Sequence, residues 1–283
     1  MTAAVDDALL QLRGIGKVFT GVAALRDINL TVRAGQVHTL LGENGAGKST
    51  LIKILAGVHQ PSGGSMTLDG APYAPASPRE AAARGIAVVF QELSLCNNLT
   101  VAENILATRE PARYGFINRK ALYRRARQLV DELQLPVDVE ARVADLSIAQ
   151  RQLVEIAKGL SHEAKVVILD EPTSSLSDAE AEMLFAIIAR LKAAGKAVIY
   201  ISHRMEEIMR LSDEITVMRD GQWISTSPAD EMTIDDIIER MVGRKIATNI
   251  RPEPLDPQAP IRLKVEGLST KDLLRDVSFD LRK

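Results

Sequence analysis

Gly42-Glu43-Asn44-Gly45-Ala46-Gly47-Lys48-Ser49 is the stretch on which the reading of this chain turns. It fits G-x-x-x-x-G-K-[ST], a loop whose glycines let backbone N–H groups turn inward around phosphates. In that pattern Lys48 reaches the β- and γ-phosphates and the Ser49 hydroxyl can ligate Mg²⁺. A helix from about Ser49 would add the positive end of its dipole. A chance match somewhere in a chain of ordinary composition is on the order of 1%, so the motif carries weight by itself. Its context agrees, because it follows the apolar run VHTLLG (37–42) and precedes an amphipathic segment.

Similar apolar runs recur outward from the loop: GIAVVF (85–90), KVVILD (165–170) and KAVIYIS (196–202). They are short, β-branched and almost without alternation, as strands buried on both faces of a parallel sheet must be. Helical segments lie between them, and several open on a capping signature. Ser77-Pro78-Arg79-Glu80 has proline at the first helical position, while Thr100-x-x-Glu103 and Ser177-x-x-Glu180 repeat the S/T-x-x-E pattern. In each, hydroxyl and glutamate are expected to satisfy one another's backbone N–H groups. Strands alternating with helices predict an open α/β sheet. Residues 9–33 and 65–70 alternate more and predict a small antiparallel layer; residues 95–160 predict an inserted helical lobe.

Bulk composition narrows the classes of function. With 283 residues, 46% hydrophobic and 25% charged, the chain can bury a real core as a soluble globular protein does. A formal net charge of −2 gives no field that would draw it to nucleic acid or to an anionic membrane. Cys96, the single cysteine, cannot form an internal disulfide, which fits a reducing compartment. The opening MTAAVDDALLQ lacks a basic segment followed by an apolar run, so no secretory signal is read there. No apolar stretch approaches the roughly 18 residues needed to cross a bilayer. Work at a membrane would therefore be done from the cytoplasm, through a partner.

Asp170-Glu171 closes the run Val166-Val167-Ile168-Leu169. Carboxylates there sit at the carboxyl end of a buried strand, where open α/β sheets bind ligands. An acidic pair after a strand is commonly a solvated turn, but beside a phosphate loop it takes on chemistry. Asp170 would hold Mg²⁺, directly or through water, and Glu171 would orient and deprotonate an attacking water.

Together these residues resemble the ATP-binding cassette family over essentially all of residues 9–245, with the P-loop NTPase core that family implies. Its distinguishing Leu-Ser-Gly-Gly-Gln run appears as Leu146-Ser147-Ile148-Ala149-Gln150, twenty residues before Asp170 and without either glycine. The resemblance implies that residues 42–50, Thr50 included, hold ATP with Mg²⁺ on Ser49, Gln91 and Asp170. It implies that Ser147, Ile148, Ala149 and Gln150 face the ATP of an opposite cassette. Gln91, after the 86–90 strand, matches the glutamine that touches Mg²⁺ or the water; His203, after Val198-Ile199-Tyr200-Ile201-Ser202, matches the histidine that steadies that water. Phe19 sits where the family stacks an aromatic on adenine. A lone glutamine, histidine or phenylalanine is ordinarily structural, so these three rest on the resemblance. The family usually closes the stretch after the acidic pair with aspartate, and here Ser177 stands there. His38, His59 and His162 make no ligand-spaced cluster. The basic stretch Arg119-Lys120 to Arg124-Arg125 and Arg127 reads as a solvated helix face, without the aromatic platform of a nucleic-acid site.

A repeat completes the reading. Leu25-Arg26-Asp27-Ile28-Asn29-Leu30-Thr31-Val32-Arg33 matches Leu274-Arg275-Asp276-Val277-Ser278-Phe279-Asp280-Leu281-Arg282, and Leu12-Arg13-Gly14-Ile15 matches Val265-Glu266-Gly267-Leu268. The expected organisation is a cassette over 1–245, a proline-rich linker over 246–260 and the start of a second cassette over 261–283, cut from a longer tandem protein. Within the family, Glu43-Asn44, Val154-Glu155-Ile156-Ala157-Lys158, Ile201-Ser202-His203-Arg204-Met205 and Met241-Val242-Gly243-Arg244 resemble bacterial monosaccharide importers with two fused cassettes. That implies a separate membrane-spanning permease and a periplasmic sugar-binding protein as partners, and a peripheral place on the cytoplasmic face. A cassette serving amino acids, lipids or drugs, or a tandem ATPase of ribosomes or DNA, stays open from the residues alone.

Overall fold

The structure, a computed structural model, describes residues 8–91, 93–161, 163–244, 259–271 and 273–282. Most of the expected linker, and His162 among the histidines, lie outside the described residues. The chain divides into two units, Met1–Lys245 and Ile246–Lys283.

In the first unit, β1 (Ala8–Phe19) and β2 (Val22–Arg33) form a long hairpin, followed by β3 (Val37–Leu41), the glycine loop and α1 (Lys48–Leu55). Then come β4 (Gly63–Leu68), β5 (Ala71–Pro72), α2 (Pro78–Ala83) and β6 (Ile86–Val89). The lobe contains α3 (Val101–Ile105), the short hairpin β7 (Ala112–Arg113) and β8 (Phe116–Ile117), α4 (Arg119–Leu133) and α5 (Ile148–Leu160). The chain returns through β9 (Val166–Asp170), α6 (Asp178–Ala193), β10 (Ala197–Ile201), α7 (Met205–Leu211), β11 (Glu214–Arg219), β12 (Gln222–Pro228) and α8 (Ile234–Val242).

Ten strands follow one another in the order β5-β4-β1-β2-β12-β11-β3-β10-β9-β6. From β11 to β6 every pairing is parallel; β1, β2, β4 and β5 pair antiparallel. The expected antiparallel layer joins the rest through one parallel bridge, Gln222 to Arg26. The sequence reading found the strands at 37–41, 86–89, 166–170 and 197–201 but not β11 and β12.

Burial explains why the central strands show no alternation. In β9, Val167 and Leu169 enter the apolar cluster shared with α3, α5 and α6, while Val166 and Ile168 enter the opposite cluster with α1 and the antiparallel strands. Both faces of the strand are covered, so both must be apolar. α4 buries Leu122, Ala126, Val130 and Leu133 at helical spacing. Its outer arginines lie at the surface, Arg119 near Glu103 and Arg127 near Glu140.

The helix starts follow the expected signatures unevenly. Thr100 and Glu103 form the full reciprocal box at α3. At α2 the reciprocity fails: the Ser77 hydroxyl accepts from Glu80 N, but the Glu80 carboxylate accepts from Ala76 N, one residue earlier. Here proline follows the N-cap and Ser77 lies at φ −157, against −74 for Thr100. At α6 the Glu180 carboxylate accepts from both the backbone N–H and the hydroxyl of Ser177.

The second unit is described as a hairpin of β13 (Ile261–Leu268) and β14 (Val277–Arg282). Its register repeats that of β1 and β2: Leu12–Leu30 and Ile15–Ile28 correspond to Val265–Phe279 and Leu268–Val277. The bulge repeats too. Gly14 N donates to Asn29 Oδ1 at 2.9 Å, and Gly267 N donates to Ser278 Oγ at 2.9 Å.

Candidate active site

The glycine loop leads from β3 into α1 as the motif requires. Gly47 caps α1 at φ +99, with no side chain capping the first N–H groups of the helix. A Cβ at Gly47 would lie 2.6 Å from Leu25 Cδ2 and 3.0 Å from the Ala24 carbonyl oxygen. Lys48 Nζ donates to the carbonyl oxygens of Gly42 at 2.6 Å and Glu43 at 3.1 Å. These bonds fold the lysine back over its own loop and leave a third N–H of the ammonium for a ligand.

The acidic pair reaches the same place from the neighbouring part of the sheet. Asp170 ends β9, paired in parallel with Ile201 of β10. At Glu171 the backbone turns left-handed, φ +49, while Glu171 N donates to the Ile201 carbonyl at 2.9 Å. Gln91 Nε2 donates to Glu171 Oε2 at 3.2 Å, and His203 Nδ1 lies 3.5 Å from that same oxygen. Three residues spread over more than a hundred positions of the chain thus meet at one carboxylate oxygen.

Lys48, Ser49, Thr50, Gln91, Asp170 and Glu171 line one cavity of about 390 Å³, together with Asn44, Gly45, Ala46 and Gly47. Val22, Ala23 and Ala24 form an apolar wall, and Asp220 and Gly221 close another side. Burial holds the Lys48 ammonium below the usual lysine range, with the charges of Glu171 and Asp170 acting the other way. Burial raises Asp170 above the usual carboxylate range, Glu171 raises it further, and Lys48 and Lys53 oppose both. The charges compensate one another only in part, as in a site built for a charged ligand. Among the described residues no three His, Cys, Asp or Glu side chains cluster as a metal cage. One carboxylate, a hydroxyl and an amide suit Mg²⁺, which takes few protein ligands and completes its shell with phosphates and water. A hollow of about 630 Å³ along α4, beside Tyr123 and Arg127, contains none of the motif residues.

Not every expected residue arrives here. Phe19 lies outside the cavity wall: its ring meets His59 edge-on at 5.2 Å, and Lys17 Nζ lies 4.9 Å from its centroid. The Thr20-Gly21 turn separates it from Val22, and the wall is built from the strand after that turn. Ser147, Ile148, Ala149 and Gln150, expected to face the ATP of an opposite cassette, are not among the residues lining this cavity. Ser147 and Gln150 form a reciprocal capping box at α5, with Ser147 N to Gln150 Oε1 at 3.0 Å and Gln150 N to Ser147 Oγ at 3.1 Å. Ala149 is buried and Ile148 exposed. The sequence reading missed Asp220-Gly221, although Asp-Gly between two apolar runs is a hairpin-turn signal. Gly221 N donates to the Ala46 carbonyl, and Arg26 N donates to the Gly221 carbonyl, so this turn braces the phosphate loop against β2.

With this geometry in place, comparison with known proteins agrees. A family model described as ABC transporter matches residues 25–174. A Ralstonia nicotianae protein, provisionally named ribose/galactose/methyl galactoside import ATP-binding protein, is 49% identical over 98% of this chain and 53% of its own length. The galactose/methyl galactoside import ATP-binding protein MglA of Yersinia pestis is 45% identical over 100% of this chain and 56% of its own. The chain spans about half the length of the curated relatives it matches. Among solved structures, the ADP conformation of MJ1267, an ATP-binding cassette of an ABC transporter, is 25% identical with a TM-score of 0.71, covering 84% of this chain and 99% of that one.

Proposed function

The chain belongs to the ABC transporter family, and we propose that it binds and hydrolyses ATP to drive uptake of a monosaccharide through a separate permease. One observation supports the hydrolytic part above others: Gln91 and His203 converge on a single oxygen of Glu171 at the rim of the cavity that holds the phosphate loop. The loop amides, Lys48 and the N-terminus of α1 receive the phosphates. Ser49 and Asp170, with Gln91 beside them, would hold Mg²⁺, which would neutralise charge on the phosphate oxygens. Glu171 accepts a proton from a water whose oxygen attacks the γ-phosphorus as the bond to the β-phosphate bridging oxygen breaks. ADP and phosphate then leave. Gln91 and His203 orient the water and the carboxylate.

The roles beyond this cavity rest on the relatives' names and on the repeat. Residues 147–150 are proposed to complete the ATP site of an opposite cassette, consistent with their place outside this chain's own cavity. The register shared by β13–β14 and β1–β2 supports reading 261–283 as the opening of a second cassette. No described helix is long and apolar enough to cross a membrane. On the likeness to import ATP-binding proteins, a separate permease is proposed as partner, with this protein peripheral on the cytoplasmic face and a periplasmic sugar-binding protein delivering the sugar. The test is Glu171→Gln in the full-length protein. Nucleotide should bind as in the wild type while hydrolysis falls about 10²- to 10⁴-fold, the range for a lost general base. Lys48→Ala should weaken binding itself. Wild-type turnover in Glu171→Gln would remove this carboxylate from the mechanism. Uptake of labelled ribose or galactose, with and without the gene, tests the substrate class.

A further inference from the structure

Glu207, on α7, is 5% exposed and gathers three hydroxyls onto one oxygen. Thr173 Oγ1 and Tyr200 OH donate to its Oε2 at 2.8 Å each, and Ser202 Oγ donates at 3.0 Å. Its other oxygen meets the Arg204 guanidinium at 2.7 Å, an ion pair without hydrogen-bond alignment. Arg204 also reaches Asp178, at the start of α6, at 3.5 Å. Hydroxyls bonded to an ionised acceptor are held about twice as strongly as neutral pairs.

The positions of these hydroxyls matter more than their number. Thr173 stands two residues after Glu171, and Ser202 immediately precedes His203. Glu171 is held at φ +49, in the left-handed region that a side-chain-bearing residue rarely adopts. Such a conformation persists only where its surroundings over-determine it. Glu171 N is fixed to the Ile201 carbonyl at 2.9 Å, and the turn that follows is fixed through Thr173 to Glu207. The Ser202 hydroxyl also accepts from Arg204 N at 3.1 Å, which pins the chain on the far side of His203. One buried carboxylate therefore anchors both segments that bring Glu171 and His203 within 3.5 Å of each other.

We propose that Glu207 is a positioning residue for hydrolysis, holding the separation of Glu171 and His203 through Thr173 and Ser202. This rests on the reading of Glu171 as the base. Glu207 is not among the residues lining the cavity, and its hydrogen bonds go to Thr173, Tyr200 and Ser202, so its loss acts on turnover and spares nucleotide binding. A misplacement of about 1 Å between reacting groups costs about 10²-fold.

The experiment compares Glu207→Gln, Thr173→Val and Tyr200→Phe in the full-length protein. It measures kcat for ATP hydrolysis, equilibrium affinity for a fluorescent ATP analogue, and Tm, with Glu171→Gln in parallel. Thr173→Val and Tyr200→Phe each remove one hydroxyl from the same oxygen, yet only Thr173 belongs to the turn after Glu171. Glu207→Gln and Thr173→Val are expected to lower kcat about 10- to 100-fold, with affinity within about threefold of the wild type. Tyr200→Phe should lower Tm comparably and kcat far less. Equal kcat losses in Thr173→Val and Tyr200→Phe, or affinity falling in step with kcat, would show a merely structural network and overturn the proposal. Should Glu207→Gln fail to fold, the Thr173→Val and Tyr200→Phe pair decides alone. If the wild type hydrolyses and Glu171→Gln does not, wild-type kcat in Thr173→Val sinks this inference and leaves the function standing; a wild type without hydrolysis overturns both.

Discussion

The two glycines on either side of Ala46 separate what a phosphate loop needs from its backbone and what it needs from its neighbours. Gly45 at φ +87 has nothing within 4 Å of the place a Cβ would occupy, while Gly47 at φ +99 would drive a Cβ into Leu25 and the Ala24 carbonyl. Both substitutions to alanine pay for a left-handed conformation, roughly 1–2 kcal/mol, and Gly47→Ala adds overpacking of about 1–3 kcal/mol. For a unit of this size each kcal/mol is about 2–4 °C of Tm. Without nucleotide, Gly47→Ala is therefore expected to lose at least half as much Tm again as Gly45→Ala. Equal losses in a calorimetric scan would show that Leu25 yields at no cost. The motif specifies Gly47 and leaves Gly45 at a free position, but it does not show that a side chain at Gly47 would be crowded, because Leu25 arrives from β2.

At the scale of single elements, the helix starts show how far a local signature can be trusted. Thr100 and Glu103 satisfy each other's backbone groups, and the Thr100 backbone N–H is the main reason the Glu103 carboxyl titrates below the usual range. Thr100→Ala is expected to cost about 1 kcal/mol of stability. A carboxyl depressed in the folded state contributes stability that is present above its unfolded pKa and lost as the pH falls through its folded pKa. The Tm difference between wild type and Glu103→Gln should then be largest near neutral pH and shrink below about pH 4, the ordinary glutamate range. A difference that grows on acidification would contradict the cap as its source. Ser77-Pro78-Arg79-Glu80 carries the same letters, yet there the carboxylate takes the N–H of Ala76. The signature fixes where a helix begins; the approach of the preceding chain decides which N–H is within reach.

Across the whole molecule, the repeat separates what a hairpin can do alone from what a sheet gives it. β1 and β2 bury Leu12, Ile15, Ile28 and Leu30 against the central strands and α1. Their counterparts Leu268 and Phe279 are exposed in β13 and β14, and two strands alone are marginal in water. Backbone amides of 261–282 should exchange with solvent within seconds in this 283-residue chain, whereas those of β9 and β10 should be protected to the level of global unfolding. In the full-length protein the 261–282 amides should gain protection. Strong protection of that hairpin in the shorter chain would show that it finds a core without a second cassette.

The sequence by itself determined the parallel strands β3, β6, β9 and β10, the phosphate loop, the acidic pair and the repeat, since each rests on local rules: hydrophobic runs, glycine conformations, fixed spacing. The capping box within Ser147-Ile148-Ala149-Gln150 is equally local. Tertiary structure alone decided that Gln91, Glu171 and His203 share one oxygen, that Phe19 turns to His59 and away from the cavity, that the Asp220-Gly221 turn braces the loop, and that Glu207 ties two distant segments together. These depend on which strand lies beside which. Strand order is set by packing apolar surface on both faces of a sheet, which joins positions far apart in the chain, so no window of sequence contains it.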